Sequence, residues 1–287
     1  MNEQYGGFSQ SNTNYGSDLA CERRRADLGT NGIVYRRENA GRFVWERIEI
    51  TSQEGELEIG RPKGSYDTLS TDRMDLFDDE DVDDAANEIA KELCSIVERT
   101  VPSPSRILVV GLGNSELTPD SIGPRTASAV NATMHLSEND QRLFKALECL
   151  EIAIIIPGVM AKSGLEATDT VSAICDRIEP DAVIAIDSIA SRSPERLGRS
   201  IQISNTGIFP GSGIGNKRRP LSERTLGVPV IAIGVPTVIS AMAFRSDEAD
   251  SKEACEELFV SPRDIDTIAS ISAKIISQGI NQAFGVF

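Results

Sequence analysis

Two aspartates stand beside apolar runs in a chain whose single histidine is His135. Asp120 follows a glycine-rich turn after the run 106–111, and Asp187 ends the run 182–187. Open α/β sheets bind ligands at the carboxyl ends of their strands, so both carboxylates are expected at that edge. One histidine disfavours most Ser-His-Asp, Cys-His and multi-histidine zinc schemes. Chemistry carried by paired carboxylates remains.

Two carboxylates that lie close together cannot both ionise cheaply, so they share a proton. Such a pair can activate water on one side and protonate a leaving amide on the other. Alternatively, it can hold a divalent cation that activates the water. In the structural alternative, each aspartate only caps a loop through an Asx turn. The residues alone leave these alternatives open.

The turn before Asp120 begins Gly111-Leu-Gly113, which invites a dinucleotide-binding interpretation. The third glycine of that fingerprint is replaced by Glu116, and Pro119 delays the following helix. The sequence therefore disfavours a nucleotide. Gly111 and Gly113 are instead expected to let the loop turn sharply and bring Asp120 back over the sheet edge.

A second glycine-rich segment covers 207–219 and includes Gly213, Asn216 and Lys217. It lacks the Gly-Lys-Ser/Thr of a phosphate-binding loop, because Lys217 is followed by Arg218. It is either a flexible surface loop or a loop whose amides and Lys217 approach a substrate or a developing oxyanion.

The elements that must position these residues alternate between strand and helix. Short apolar runs predict buried parallel strands at 106–111, 151–156, 182–187 and 228–234. Helical patterns follow at 123–136, 138–148, 167–178 and 262–283. This alternation predicts an α/β fold, a three-layer α/β/α sandwich.

Two further local predictions concern the ends of the fold. The runs 32–37 and 42–50 predict an added N-terminal β-hairpin. Ser261, Pro262 and Asp264 form a helix-start signal, with Ser261 as N-cap and Asp264 completing a capping box.

The domain organisation is a polar tail followed by one domain. Residues 1–18 are predicted to be a disordered segment, and residues 19–287 a single domain. Seven acidic residues in ten at 75–84 suggest a solvated linker or a helix lead-in, since the glycine of an EF-hand loop is missing.

Composition limits the partners. The formal charge is −15, which argues against a nucleic-acid phosphate partner and against an anionic membrane surface. Five dispersed cysteines predict reduced thiols rather than a disulfide framework. With no secretory signal or membrane-spanning run, we expect a cytoplasmic protein.

Several unusual segments resemble, in order, the bacterial germination protease of spores; they are 109–114, 118–124, 157–160, 185–193, 201–204, 207–218 and 227–237. The resemblance implies an endopeptidase that degrades small acid-soluble spore proteins, in the spore core, as a homotetramer. It implies a fold shared with hydrogenase maturation endopeptidases. The two essential aspartates of the family map onto Asp120 and Asp187, with no cofactor, although a divalent metal between them stays open.

The resemblance also implies a zymogen that cuts itself after an acidic residue. The stretch Asp18-Leu-Ala-Cys-Glu22 is similar to the acidic–aliphatic–Ala–small–Glu pattern of the family's substrates. We therefore expect cleavage between Asp18 and Leu19. The alternatives are a metal-assisted maturation endopeptidase of the same fold and a non-catalytic sandwich that binds a small ligand.

Overall fold

The computed structural model describes residues 17–23, 32–211, 218–244 and 258–285. Its strands are β1 (Ile33–Ala40), β2 (Phe43–Ile50), β3 (Gly64–Ser70), β4 (Arg106–Gly111), β5 (Glu151–Ile155), β6 (Ala182–Ser191), β7 (Ser200–Ser204), β8 (Val230–Ser240) and β9 (Phe259–Val260). Its helices are α1 (Gln53–Ile59), α2 (Asp79–Thr100), α3 (Ile122–Ala129), α4 (Met134–Asn139), α5 (Gln141–Leu147), α6 (Met160–Ser163), α7 (Ala167–Ile178), α8 (Glu223–Leu226) and α9 (Ile265–Ala283).

The strands form one mixed sheet in the order β1-β2-β3-β7-β8-β6-β4-β5, and β9 pairs with the far end of β8. Strands β5, β4, β6 and β8 are mutually parallel, and we call them the parallel half. Strands β7, β3, β2 and β1 continue the sheet antiparallel, and we call them the antiparallel half. The four predicted parallel strands are confirmed.

Strands β3 and β7 carry no continuous apolar run, and the sequence did not predict them. Strand β3 buries Asp67 and Thr68 beside its apolar residues. The buried carboxylate of Asp67 is compensated by Arg47 of β2 at 3.4 Å. A polar strand of this kind is stabilised by partners distant in sequence, so local hydrophobicity does not reveal it.

Helices cover both faces of the sheet, so the three-layer sandwich is confirmed. On one face, α2, α3 and α9 pack on Ile184 and Ile186 of β6 in a single apolar cluster. On the other, α7 and α8 pack on Val183 and Ala185 of the same strand. The alternation arises because successive residues of a strand point to opposite faces.

The predicted helix 123–136 is wrong as a single element. α3 ends at Ala129 and α4 begins at Met134. Between them, Thr133 bonds to the neighbouring strand instead: its amide donates to the Ile152 carbonyl at 3.0 Å and its hydroxyl accepts from the Ile152 amide at 2.8 Å. The segment predicted at 138–148 is α5 with the last turn of α4, and Asp140 caps α5 by accepting from the Leu143 amide.

The predicted start of the C-terminal helix is also wrong. Helix α9 begins at Ile265, and Asp264 at its N-cap makes no capping hydrogen bond through its side chain. The Ser261 hydroxyl donates to the Thr237 carbonyl of β8 at 3.0 Å, just after β9. Tertiary pairing with β8 therefore takes the residue that local capping rules assigned to the helix.

The N-terminal hairpin and the acidic segment follow the predictions. β1 and β2 pair antiparallel around a tight turn, and β2 joins them to β3 at the edge of the sheet. Asp78 caps α2 in a reciprocal capping box with Asp81, so the acidic run is a helix lead-in. Within the described ranges, no helix is both long and apolar enough to cross a membrane.

Candidate active site

The loop after β4 turns back sharply to place Asp120. Gly113 adopts φ +111°, and a Cβ there would lie 2.1 Å from the Asp120 carbonyl oxygen. The Asn114 amide donates to that same carbonyl at 2.9 Å, which closes the turn. A side chain at Gly113 is therefore excluded both by conformation and by space. The predicted role of this glycine is confirmed.

Asp187 lies inside β6 rather than at its end, so that boundary prediction is wrong. β4 stops at Gly111, opposite Ile186, but β8 continues beside β6 and extends it to Ser191. Asp187 thus stands just past the end of the neighbouring strand, with 4% of its surface exposed. One of its oxygens accepts from the Ser188 amide at 2.9 Å.

The two carboxylates are electrostatically linked. Burial raises the pKa of Asp187 well above its usual value, and the charge of Asp120 raises it further, against the Ser188 hydrogen bond and the charge of Arg218. Burial also raises the pKa of Asp120, opposed by a hydrogen bond from the Asn114 backbone and by Arg218. A pair of this kind retains a proton to a higher pH than isolated carboxylates do.

Beside this pair lies an N-terminal segment of the chain itself, residues 17–23, which we call the docked segment. Leu19 and Ala20 are fully buried in it. The Asp18 amide donates to the Ala190 carbonyl at 2.9 Å, and the Ala190 amide donates to Asp18 Oδ2 at 3.0 Å. These bonds form where a bulge at Ile189 shifts the register between β6 and β8. The charge of Asp18 also contributes to the raised pKa of Asp187.

Two acidic side chains hold the ends of the docked segment. Arg61, in the loop before β3, donates to Asp18 Oδ1 at 2.8 Å and to the Ser17 carbonyl at 3.1 Å. The Glu22 carboxylate accepts from the backbone amides of Arg192 at 2.8 Å and Ser193 at 3.1 Å. Each anion is thus matched by donors from the folded domain.

A row of paired residues runs across three strands under the docked segment. Gly234 of β8 pairs with Asp187 of β6 on one side and with Gln202 of β7 on the other. Paired residues of adjacent strands point to the same face, so Gln202 and Asp187 flank a position without a side chain. The Gln202 amide bonds to the backbone of Asp18 and of Ala20.

The cavity left beside Asp18, Arg61, Gln202 and Gly234 measures about 30 Å³. That volume holds one or two water molecules and no more. The chain's own segment therefore fills the cleft.

The structure places some of the candidate residues from the sequence at the site and others away from it. It brings Asp120 within electrostatic reach of Asp187 and docks Asp18 and Leu19 against β6, whereas His135 is exposed on α4. The predicted substrate-loop residues Gly213, Asn216 and Lys217 lie outside the described residues.

Sequence reasoning missed Arg61, Gln202 and Arg218. Gln202 has a recognisable signal, because it is the polar member of an apolar alternation, Ile201-Gln-Ile203, whose neighbours face the core. Arg218 lies at the end of the glycine-rich segment, which is a local signal, whereas Arg61 stands in a loop and nothing local distinguishes it from the chain's other arginines.

In the described part of the chain, no group of three or more His, Cys, Asp or Glu side chains is arranged to hold a metal ion. Asp120 and Asp187 supply two carboxylates, and the Asp18 carboxylate is bound by Arg61 and the Ala190 amide. A cation between the pair would need its other ligands from water or substrate.

Comparison with known proteins gives consistent results. A family model described as "Germination protease" matches residues 16–254. A germination protease of Caldanaerobacter subterraneus subsp. tengcongensis is 36% identical, over 93% of this chain and 93% of the relative. One from Clostridium acetobutylicum is 33% identical over 93% and 94%, and one from Priestia megaterium is 41% identical over 76% and 58%. A solved structure that also matches is a [NiFe] hydrogenase maturation protease, HycI from Thermococcus kodakarensis KOD1. It is 18% identical with a TM-score of 0.35, and the match covers 65% of this chain and 99% of that one.

Proposed function

Since this chain belongs to the germination protease family and is a spore germination endopeptidase, we propose that Asp120 and Asp187 are its catalytic pair. The observation that carries the proposal is the burial of Asp187, whose pKa is raised by that burial and by the charge of Asp120, on the same strand that binds the Asp18 backbone. Carboxyl pairs whose environments differ are typical of acid–base catalysis. The non-catalytic alternative is set aside, because the family consists of peptidases.

The more deeply buried Asp187 holds the shared proton, and Asp120 accepts a proton from the attacking water. The water oxygen bonds to the scissile carbonyl carbon, and the π electrons of the C=O bond move to the carbonyl oxygen. As the intermediate collapses, the C–N bond breaks and Asp187 gives its proton to the leaving nitrogen. Each carboxyl group then needs one proton exchange to return to its starting state.

The first substrate of this pair is the chain itself, cut between Asp18 and Leu19. The docked segment supports this step, because its Asp18 backbone bonds to Ala190 on β6, the strand that carries Asp187. The buried Leu19 and the hydrogen bond from the Arg192 amide to Glu22 hold the part of the segment that stays with the enzyme. Residues 1–18 would leave as the propeptide.

Small acid-soluble spore proteins are the proposed substrates in trans, in the spore core. The proposed assembly is a homotetramer. Both statements rest on the resemblance of motifs, with protein substrates expected of the family. Light scattering of the purified chain tests the assembly, and a monomer at micromolar concentration contradicts it.

The deciding experiment compares the full chain with Asp120→Asn and Asp187→Asn. Each protein is incubated alone and with a small acid-soluble spore protein, and products are read by mass spectrometry. We expect the wild type to generate a chain beginning at Leu19 and both variants to remain intact. Cleavage by both variants at the wild-type rate would refute the catalytic assignment, and a mature terminus elsewhere would refute the cut site.

The metal-assisted alternative is tested in the same assay with a chelator. A pair that works as acid and base keeps its activity when divalent cations are removed. Loss of activity on chelation, restored by adding one divalent metal, would instead assign the pair as ligands.

A further inference from the structure

We propose that Gln202 is a third catalytic residue, whose side-chain N–H stabilises the oxyanion that forms on the Asp18 carbonyl oxygen. The inference rests on the proposed cut between Asp18 and Leu19. It assigns a task separate from those of the two aspartates, because Asp120 takes a proton from the attacking water and Asp187 gives its proton to the leaving nitrogen.

The contacts of Gln202 fix both ends of its amide. Its Oε1 accepts from the Ala20 amide at 2.8 Å, and its Nε2 donates to the Asp18 carbonyl oxygen at 3.3 Å. A backbone amide can only donate and a carbonyl can only accept, so the two partners determine which way the side-chain amide points. The N–H therefore lies on the carbonyl of the Asp18–Leu19 bond.

The position of Gln202 in the sheet separates it from the acid–base pair. It stands on the same cross-strand row as Asp187, with Gly234 between them. Neighbouring strands are about 4.8 Å apart, so the two backbones are roughly 10 Å apart. The Ile189 side chain covers Gly234, so Gln202 reaches the Asp18 carbonyl from the β7 side while the Asp18 amide bonds to Ala190 of β6.

The environment of Gln202 strengthens such a donor. Gln202 is 8% exposed, and its neighbours on β7, Ile201 and Ile203, are fully buried. In surroundings with little water, a fixed dipole aimed at a developing charge acts more strongly than it would in solvent. The 3.3 Å ground-state distance is long for a hydrogen bond and is expected to shorten as charge builds on the oxygen.

In the proposed step, the C–O bond forms as water adds and the carbonyl π electrons move onto the oxygen. The Gln202 N–H holds that oxygen without transferring its proton. When the intermediate collapses, the electrons return to re-form the carbonyl, and the C–N bond breaks. Gln202 is unchanged at the end, so the step needs no further reactant.

The test uses the full chain with Gln202→Met and Gln202→Glu. Methionine keeps the length and loses both hydrogen bonds, whereas glutamate keeps an acceptor for Ala20 and has no N–H for the oxyanion when ionised. The first-order rate of self-cleavage is measured from about pH 4 to neutral pH. We expect each variant to slow cleavage by about 10²–10³-fold, the loss typical of one oxyanion donor. Asn205→Ala is the matched control, because that amide accepts from Ser65 on the next strand and does not contact the docked segment.

Docking is measured separately, by hydrogen exchange at residues 17–23 with Asp187→Asn added so that the peptide stays uncut. If Gln202 is an oxyanion donor, Gln202→Glu should change the hydrogen-exchange protection of residues 17–23 by less than about tenfold from the parent, while the rate of self-cleavage falls. An unchanged rate, or protection that falls as far as the rate, overturns the inference. Self-cleavage by the Asp120→Asn and Asp187→Asn chains would refute the catalytic pair itself, whatever the result for the Gln202 variants. A wild type that never cuts itself would refute self-processing and this role with it.

Discussion

The two halves of the sheet contribute different things to the site. The parallel half supplies Asp187 from β6 and, from the loop after β4, Asp120. The antiparallel half supplies Gln202 from β7 and, from the loop before β3, Arg61. The first half thus holds the groups that exchange protons and bonds the docked segment through the backbone of residues 190–193, and the second adds the side chains that bind this peptide.

This division has a physical basis. Parallel strands end together at one edge, where loops converge and leave a gap that carboxylates can occupy. Antiparallel strands extend the sheet sideways and present a platform on which an extended segment can lie. Arg61 is further fixed by its loop, because the Tyr66 hydroxyl donates to the Pro62 carbonyl at 2.8 Å. Chemistry and binding can therefore be disrupted independently.

The largest expected effect comes from the parallel half. Asp187→Asn and Asp120→Asn should lower self-cleavage by about 10³-fold or more, since general acid–base groups contribute up to about 10⁴-fold. Hydrogen exchange at residues 17–23 should stay protected, because the segment is held by Arg61, Gln202 and the backbone of residues 190–193, which both substitutions leave in place. Asp181→Asn is the control: it removes a carboxylate that bonds the amides of Ser105 and Arg106 at the opposite strand ends and should leave activity intact.

An intermediate effect is expected in the antiparallel half. Arg61→Met removes the ion pair with Asp18, in which both side chains are 12% exposed. A hydrogen bond to a charged group contributes about 1.5–3 kcal/mol, so self-cleavage should slow by about 10–100-fold together with loss of protection. In a double-mutant cycle, Asp18→Asn should cost much less once Arg61 is gone. Additive losses would show that the pair does not act as a unit.

The pH dependence should belong to the parallel half alone. Activity requires one proton on the pair, so the rate should fall as pH drops and both carboxyls protonate. It should fall again as pH rises through the raised pKa of Asp187. A bell-shaped rate profile in the wild type, with its basic limb unchanged in Arg61→Met, would support the division. A basic limb that moves with Arg61 would contradict it.

The smallest expected effect is on stability, and it has opposite signs in the two halves. Because the pKa of Asp187 is higher folded than unfolded, the folded chain loses stability as pH rises from about 4 through that raised value. Asp187→Asn removes this loss, so its Tm should exceed that of the wild type by a few °C at neutral pH, about 2–4 °C per kcal/mol, and match it below about pH 4. Arg61→Met should lower Tm at neutral pH. Thermal unfolding monitored by circular dichroism checks both, and a lower Tm for Asp187→Asn would contradict the burial argument.

The sequence predicted most of the parallel half, because its strands are short continuous apolar runs that need no partner to be recognised. It also predicted the sharp turn at Gly113 and the two aspartates at one edge. The resemblance of motifs added Asp18 and Leu19. What it could not give was the length of β6 past Asp187, since that extension depends on pairing with β8.

By itself, then, the sequence determined the layers of the fold and the two carboxylates, because periodicity and strand-end position are properties of contiguous residues. Only the tertiary structure decided what lies opposite them. Gln202 and Arg61 are far from Asp18 in the chain, and their contacts with it exist only because β3 and β7 pair beside β8. Contacts between residues so distant in sequence leave no local pattern, so the side chains that bind the peptide were identified only when the strands were placed in order.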